Sequence, residues 1–341
     1  MQISKNKTDK MEQYKIDNMK CGMFNNSSYW GKRGSVLKSG VCKYYRRNMN
    51  DKYEWCVIEM MIFGIKKKAL MTNILNRLKI LVFEEIPVNE FNKVVVLIDI
   101  FDKIELENSW EKKTKYVLDF IELSKTCKRG RICSYVNTWW KFKQEVYDLD
   151  EISVGEVNKY KKDGDSEELL KLGELLLQFV EERNIKMVDV FNKMYKIKDK
   201  MGRRYRRREG VYLFWEIVGD IFKNNSKFVK IIDYSREIFY KKSLKERPYY
   251  AIWVSLFIVN YDKYDWNESY VFTPPQINLN EYFKKRQNIE MDDYVVKDYH
   301  VNKKYGLEKF ARVGAFVENE DCSDLESADL YKEFYIEKKS V

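Results

Sequence analysis

LMTNILNRLKILVFEEIP, running from Leu70 to Pro87, decides the fold: Leu70, Ile74, Leu78, Leu81 and Val82 recur at the three- and four-residue spacing of one helix face. Pro87 has no N–H and restricts the residue before it, so the helix is expected to end there, just past the acidic pair Glu84 and Glu85. Upstream, Trp55, Ile58 and Met61 or Ile62 repeat the pattern, and Leu37, Val41 and Tyr44 or Tyr45 begin it. Between those two stretches, Asn48-Met49-Asn50-Asp51 breaks the periodicity and offers capping side chains. Three short helices with one apolar face each must bury those faces against one another, so Ser35 to Pro87 predicts a helical unit.

Working outward, the expected fold class is mainly α: two packed multi-helix units with a flexible N-terminal arm and an acidic C-terminal tail. Residues 1–33 are rich in Lys, Asn and Ser and read as the arm, 34–147 as the first helical domain, and 148–165, with its glycines and acids, as a linker. Residues 166–272 read as the second unit, with Leu169, Leu172, Leu175, Leu176 and Phe179 on one face and Val188, Phe191 and Tyr195 on another. Helices are then expected over Val211–Lys223, Ser226–Lys241 and Pro248–Tyr261. The last contains YYAIWVSLFIVNY, thirteen residues without a formal charge, too short for a bilayer and read as a buried helix, so no membrane partner is expected. Thr273-Pro274-Pro275 opens a C-terminal extension and acidic tail over 273–341.

The composition of the 341-residue chain narrows the chemistry. Charged residues make up 34% and hydrophobic ones 45%, with four prolines, which favours a folded helical protein over a disordered one. His300 is the one histidine, so the usual proton shuttle and metal ligand is nearly missing and His300 reads as structural or surface. Cys21, Cys42, Cys56, Cys127, Cys133 and Cys322 form no C-x-x-C pair, which disfavours a zinc site and, with no secretory segment, points to reduced thiols in an intracellular protein. Val94 to Asp102, VVVLIDIFD, could be a strand closing on a Mg²⁺-holding aspartate. Phe91, Val94, Val95, Ile98 and Phe101 fit a helix face as well, and the buried-helix reading is preferred, with Asp99 on the polar side. No cofactor, metal or catalytic residue is assigned, and no enzyme is expected.

Charge is more specific. The net charge is +10, and Lys196 to Gly210, KIKDKMGRRYRRREG, holds eight basic and two acidic residues. Arg203, Arg204, Arg206, Arg207 and Arg208 can neutralise phosphates with release of counterions, and Tyr205 offers a stacking face. A solvated linker, an acidic protein partner or a nuclear-import signal would look the same. Two smaller basic sites, Arg46-Arg47 and Lys128-Arg129-Arg131, extend the expected nucleic-acid track, although arginines ending a helix also complement its dipole. Trp139-Trp140-Lys141-Phe142-Lys143 interleaves aromatics with lysines, but Val136, Trp139, Trp140 and Val146 at helical spacing read as core.

The order of these parts resembles the helical C-terminal domain of the RarA/MgsA replication-associated recombination ATPases, the family of the Werner-helicase-interacting protein. That domain has a small-residue helix ending in a basic pair, a Trp- or Tyr-bearing helix, and a helix with arginine, apolar residues and an acidic pair. The matching stretches are Ser35–Arg47, Glu54–Phe63, Asn73–Glu85 and then Arg131–Asn137, roughly a third of the chain. The family's ATPase core needs a phosphate-cradling loop. Here the one Gly-Lys pair, Gly31-Lys32, is followed by Arg33 and has Asn26 where the first glycine should stand, so the loop is absent. Met291–His300 and Lys309–Glu320 resemble a segment of uncharacterised proteins of large DNA viruses, with Val301 in place of that segment's threonine. The resemblances imply a non-enzymatic, nucleic-acid-associated protein of replication, repair or genome packaging, DNA more than RNA, able to self-associate, in a host nucleus, viral factory or virion. The alternative is a virion structural or scaffold protein whose arginine loop docks an acidic partner.

Overall fold

The structure, a computed structural model, describes residues 28–66, 68–197, 209–242, 246–296 and 312–340. The described chain is mainly helical and has no strand. Most of the expected N-terminal arm, Cys21, His300, Arg203 to Arg208 and the side chain of Leu70 lie outside the described residues.

Helices α1 (Gly34–Arg46), α2 (Asn50–Lys66) and α3 (Lys68–Glu85) pack on one another as their apolar stripes require, burying Leu37, Val41, Ile58, Ile74, Leu78 and Leu81. The break between α1 and α2 works through the backbone of Asn48, which takes φ 55°. Its N–H donates to Tyr45 O and that of Met49 to Tyr44 O, the paired bonds that close a helix around a left-handed residue. After Pro87, a 3-10 turn (Val88–Glu90) leads into α4 (Phe91–Leu106). The Val94–Phe101 run is therefore helical. It buries Val94, Leu97, Ile98 and Phe101 and leaves Asp99 outside, paired with Lys230. Ser109 caps α5 (Trp110–Lys125) by accepting from Lys112 N, and α6 (Ile132–Phe142) follows. Because α6 stops at Phe142, Val146 falls out of phase with the helix face expected for it and is 97% exposed.

The stretch expected as a linker is docked. Residues Leu149–Glu151 and Glu156–Tyr160 form 3-10 turns, Val157 is fully buried, and Glu174 Oε1 accepts from Gly155 N and Val157 N. Helices α7 (Glu167–Glu181), capped by Ser166, α8 (Met187–Met194), α9 (Tyr212–Ile221) and α10 (Ser226–Lys241), capped by Asn225, build the second unit.

Helix α11 (Arg247–Val259) then runs through the middle. It touches α3 and α6 on one side and α7, α8 and α10 on the other, with Tyr250, Trp253, Val254, Phe257 and Ile258 fully buried. Each such side chain contributes ~1.5–3 kcal/mol of burial. The indole of Trp253 donates to Ile86 O at 3.0 Å, the carbonyl just before Pro87. The two units therefore share one apolar core.

The C-terminal extension wraps this body. Helix α12 (Leu279–Lys285) and α13 (Asp293–Val296) lie against α2 and α1, with Tyr282 donating to Glu54 and Lys52 pairing with Asp292. The segment expected as an acidic tail contains a docked helix, α14 (Ala328–Ser340). It sets Tyr331 and Phe334 against Trp139 of α6, with ring centroids 4.7 and 5.1 Å apart. An amphipathic stripe of aromatics outweighs the acidic residues between them.

Candidate nucleic-acid interface

The arginine-rich stretch lies between α8 and α9, and the described residues on both sides of it are fixed. Gly210 N donates to Ile197 O at 3.2 Å, so the chain enters and leaves residues 198–208 side by side. Gly210 is required there, because a Cβ would stand 2.9 Å from Met194 O and 2.8 Å from Leu169 Cδ1. Glu209, one of the two acids of the basic stretch, accepts from Arg247 Nη1 through both carboxylate oxygens at 2.7 Å. The Arg247 guanidinium sits over the Phe239 ring and donates from Nε to Lys242 O. That acid is thus engaged by the body of the protein. Arg203, Arg204, Tyr205, Arg206, Arg207 and Arg208 themselves lie outside the described residues.

The other cations expected on the track have different fates. Arg46 is 6% exposed and Arg131 is 4% exposed. Arg46 Nε donates to Glu85 Oε2 at 2.7 Å and its Nη2 to Glu85 Oε1, while Arg131 stands 3.6 Å from Glu84 and 3.8 Å from Glu85. Ser134 Oγ donates to Glu84 at 3.0 Å, and Gly314 O accepts from both guanidiniums. Burial alone would raise the Glu84 carboxyl, but Arg46, Arg77, Arg131 and the Ser134 hydroxyl hold it below the usual carboxylate range. Arg129, also buried, donates to Tyr45 O at 2.8 Å and to Asn50 Oδ1 at 3.1 Å. These three arginines hold the fold and do not face a polyanion, which corrects the wider track. Half-buried Arg47 lies over the Tyr294 ring and donates to Val313 O at 2.6 Å. Lys128 alone is open, and it pairs with Asp321 at 2.9 Å.

The sequence does carry a signal for this burial. Glu84 and Glu85 sit in the last turn of α3, which has no basic residue there, and carboxylates at a helix C-terminus oppose its dipole. Cations from elsewhere had to meet them.

Beside the loop base, Gln144, Tyr147, Leu172, Lys193, Lys196 and Ile197 line a cleft of about 640 Å³. Lys196 makes no ion pair among the described residues, whereas Lys193 reaches Asp189 and donates to Glu145 O. Neither Lys193 nor the clamp residue Arg247 stood out in the sequence. The one hint was Glu209 closing a run of arginines. Trp140 is buried at 4% exposure and Trp139 is half-buried under α14, as the core reading expects. Among the described residues no three His, Cys, Asp or Glu groups are placed to share a metal ion, and no helix is long and apolar enough to cross a membrane.

The fold defines a mainly α-helical protein in which the residues flanking the basic stretch, Ile197, Glu209 and Gly210, are tied to the helical body. Comparison with protein-family models, with curated proteins and with solved structures returned no match to this chain.

Proposed function

We propose that the protein is a non-enzymatic nucleic-acid-binding protein that grips the phosphate backbone through its arginine-rich loop. The observation that supports this is the loop base. Gly210 and Ile197 bring the flanks of the basic run together, and Arg247 engages the Glu209 carboxylate that closes it. Fixing both ends lowers the ordering cost on binding, and arginines on such a mount contact phosphates without reading bases. Binding is then sequence-tolerant and steeply salt-dependent. The resemblance of α1 to α3 to the RarA/MgsA helical domain, and of the C-terminal segment to proteins of large DNA viruses, supports a place in replication, repair or genome packaging.

The test is a salt titration of binding to single- and double-stranded DNA, with the intact chain beside a variant carrying serine at Arg203, Arg204, Arg206, Arg207 and Arg208. The slope of log affinity against log salt should flatten by up to about 0.9 per lost duplex phosphate contact. An unchanged affinity and slope would overturn the reading. High-order assembly without DNA affinity would favour a scaffold that docks an acidic protein.

A further inference from the structure

Phe142 is the outlier of helix α6. Ile132, Cys133, Tyr135, Val136 and Trp140 of the same helix are buried, yet the Phe142 ring is 56% exposed. Its surroundings are cationic and come from two distant parts of the chain. Lys141 Nζ stands 5.8 Å and Lys338 Nζ 5.9 Å from the Phe142 centroid, while Lys143 Nζ stands 5.6 Å from that of Phe334, the ring that braces Phe142 edge-on at 6.3 Å. Lys141 and Lys143 are exposed and make no ion pair among the described residues. Docking of α14 on α6 thus places the ammonium groups of Lys141 and Lys338 over the exposed Phe142 ring, Lys338 also pairing with Glu337 at 3.0 Å.

The place of this platform gives it a direction. The chain passes from Lys143 straight into Gln144, Glu145 and Val146, which line the cleft shared with Lys193, Lys196 and Ile197. Ile197 is the residue that closes the base of the arginine loop. The chain thus leads from the platform directly into the cleft, and Ile197 joins the cleft to the loop base. An aromatic ring flanked by cations is what an unpaired nucleotide requires, a π-face for the base and ammonium groups for the phosphates on either side. A duplex, whose bases are already stacked and paired, offers nothing for that ring to engage.

We propose that Phe142, with Lys141, Lys143 and Lys338, is a stacking site for a base of single-stranded nucleic acid, continuing toward the arginine loop. The inference rests on the proposed function above and adds strand preference to it. The test measures full-length protein binding to a short oligothymidylate and to a duplex of the same length at equal salt. It compares Phe142→Ala, Phe142→Trp and the five-arginine loop variant, with denaturation midpoints to confirm folding. Stacking predicts a loss of about 5- to 100-fold on the single strand for Phe142→Ala. It also predicts no change on the duplex and retention of affinity by Phe142→Trp. An equal loss on both, or none on the single strand, overturns the stacking site while leaving the loop reading intact. Failure of the unaltered protein to bind either strand overturns both readings, and the loop variant separates the two by losing affinity for both strands.

Discussion

Arg46 at the end of α1 and Glu85 at the end of α3 form a two-point fork in the interior, with Nε to Oε2 at 2.7 Å and Nη2 to Oε1 beside it. The pair joins the basic end of one helix to the acidic end of another, whose carboxylates would oppose that helix's dipole if left alone. Around it, Arg131, Glu84, Ser134 and the carbonyl of Gly314 satisfy most of the remaining donors and acceptors. The last turns of α1 and α3, the start of α6 and the C-terminal segment are locked to one another at this point. Gly130 shows how close the approach is: its N–H donates to Glu85 O, and a Cβ there would collide with Asp321 O.

Removing one side of the fork should be far worse than removing both. Arg46→Ala leaves a buried carboxylate without its partner and should cost ~3–5 kcal/mol, read as a shift of the urea midpoint at constant slope. Arg46→Met combined with Glu85→Leu should recover much of that loss. A milder effect of Arg46→Ala, below that of the double replacement, would show that the pair does not carry the contact.

The C-terminal segment should respond to pH through Asp324. This side chain is 2% exposed and accepts from Val88 N at 2.8 Å and Asn89 N at 3.3 Å. Burial, with the neighbouring Asp321 charge, pushes its carboxyl up to about 6, against the donation of those two N–H groups and the pull of Lys128. The folded pKa lies above the ordinary one, so the native state takes up the proton first. Stability from this group is gained as pH falls from about 7 through 6, levels off below the ordinary carboxylate range, and is absent above neutrality. Asp324→Asn should therefore lose stability relative to the unaltered chain as pH falls from about 7.5 to 5, by roughly 1–1.5 kcal/mol at pH 5. Parallel pH profiles for the two proteins would refute this.

Trp253 anchors the shared core. It is fully buried, lies edge-on to Phe83 at 5.5 Å, stacks on Phe257 at 5.5 Å and donates to Ile86 O. Trp253→Ala should destabilise by ~3–5 kcal/mol, and the whole chain should unfold in one transition because both helical units lean on α11. Two separated transitions in calorimetry would contradict a single core.

Arg247→Gln keeps every charge of the arginine loop but releases Glu209 from its clamp. Affinity for DNA should fall by about threefold to tenfold through the added ordering cost and the freed carboxylate, while the salt slope stays close to that of the unaltered protein. A flattened slope would mean that Arg247 itself contacts phosphate.

Helix content was legible in the sequence because periodicity is local. The expected Ser226–Lys241 matches α10 to the residue, the uncharged run at 249–261 falls in the buried α11, and Pro87 ends α3 where its missing N–H demands. The ambiguous Val94–Phe101 stretch resolved to a helix because its flanks pack against α5 and α10, a condition no window of sequence contains. The docked segment at 148–165 and the helical tail were missed for a related reason. Their apolar residues find partners, Val157 under α7 and Tyr331 on Trp139, only across the tertiary structure.

By itself, then, the sequence determined that this chain is a bundle of amphipathic helices and where its positive charge is concentrated, since both depend on neighbours a few residues away. Tertiary structure decided which cations are open. Arg46 meets a carboxylate 39 residues on, and Arg131 meets a carbonyl 183 residues on. Whether an arginine faces solvent or a buried glutamate turns on desolvation and on contacts of about 3 Å between distant segments. Exposed Phe142 gains the Lys338 ammonium over its ring by the same rule, through the docking of α14.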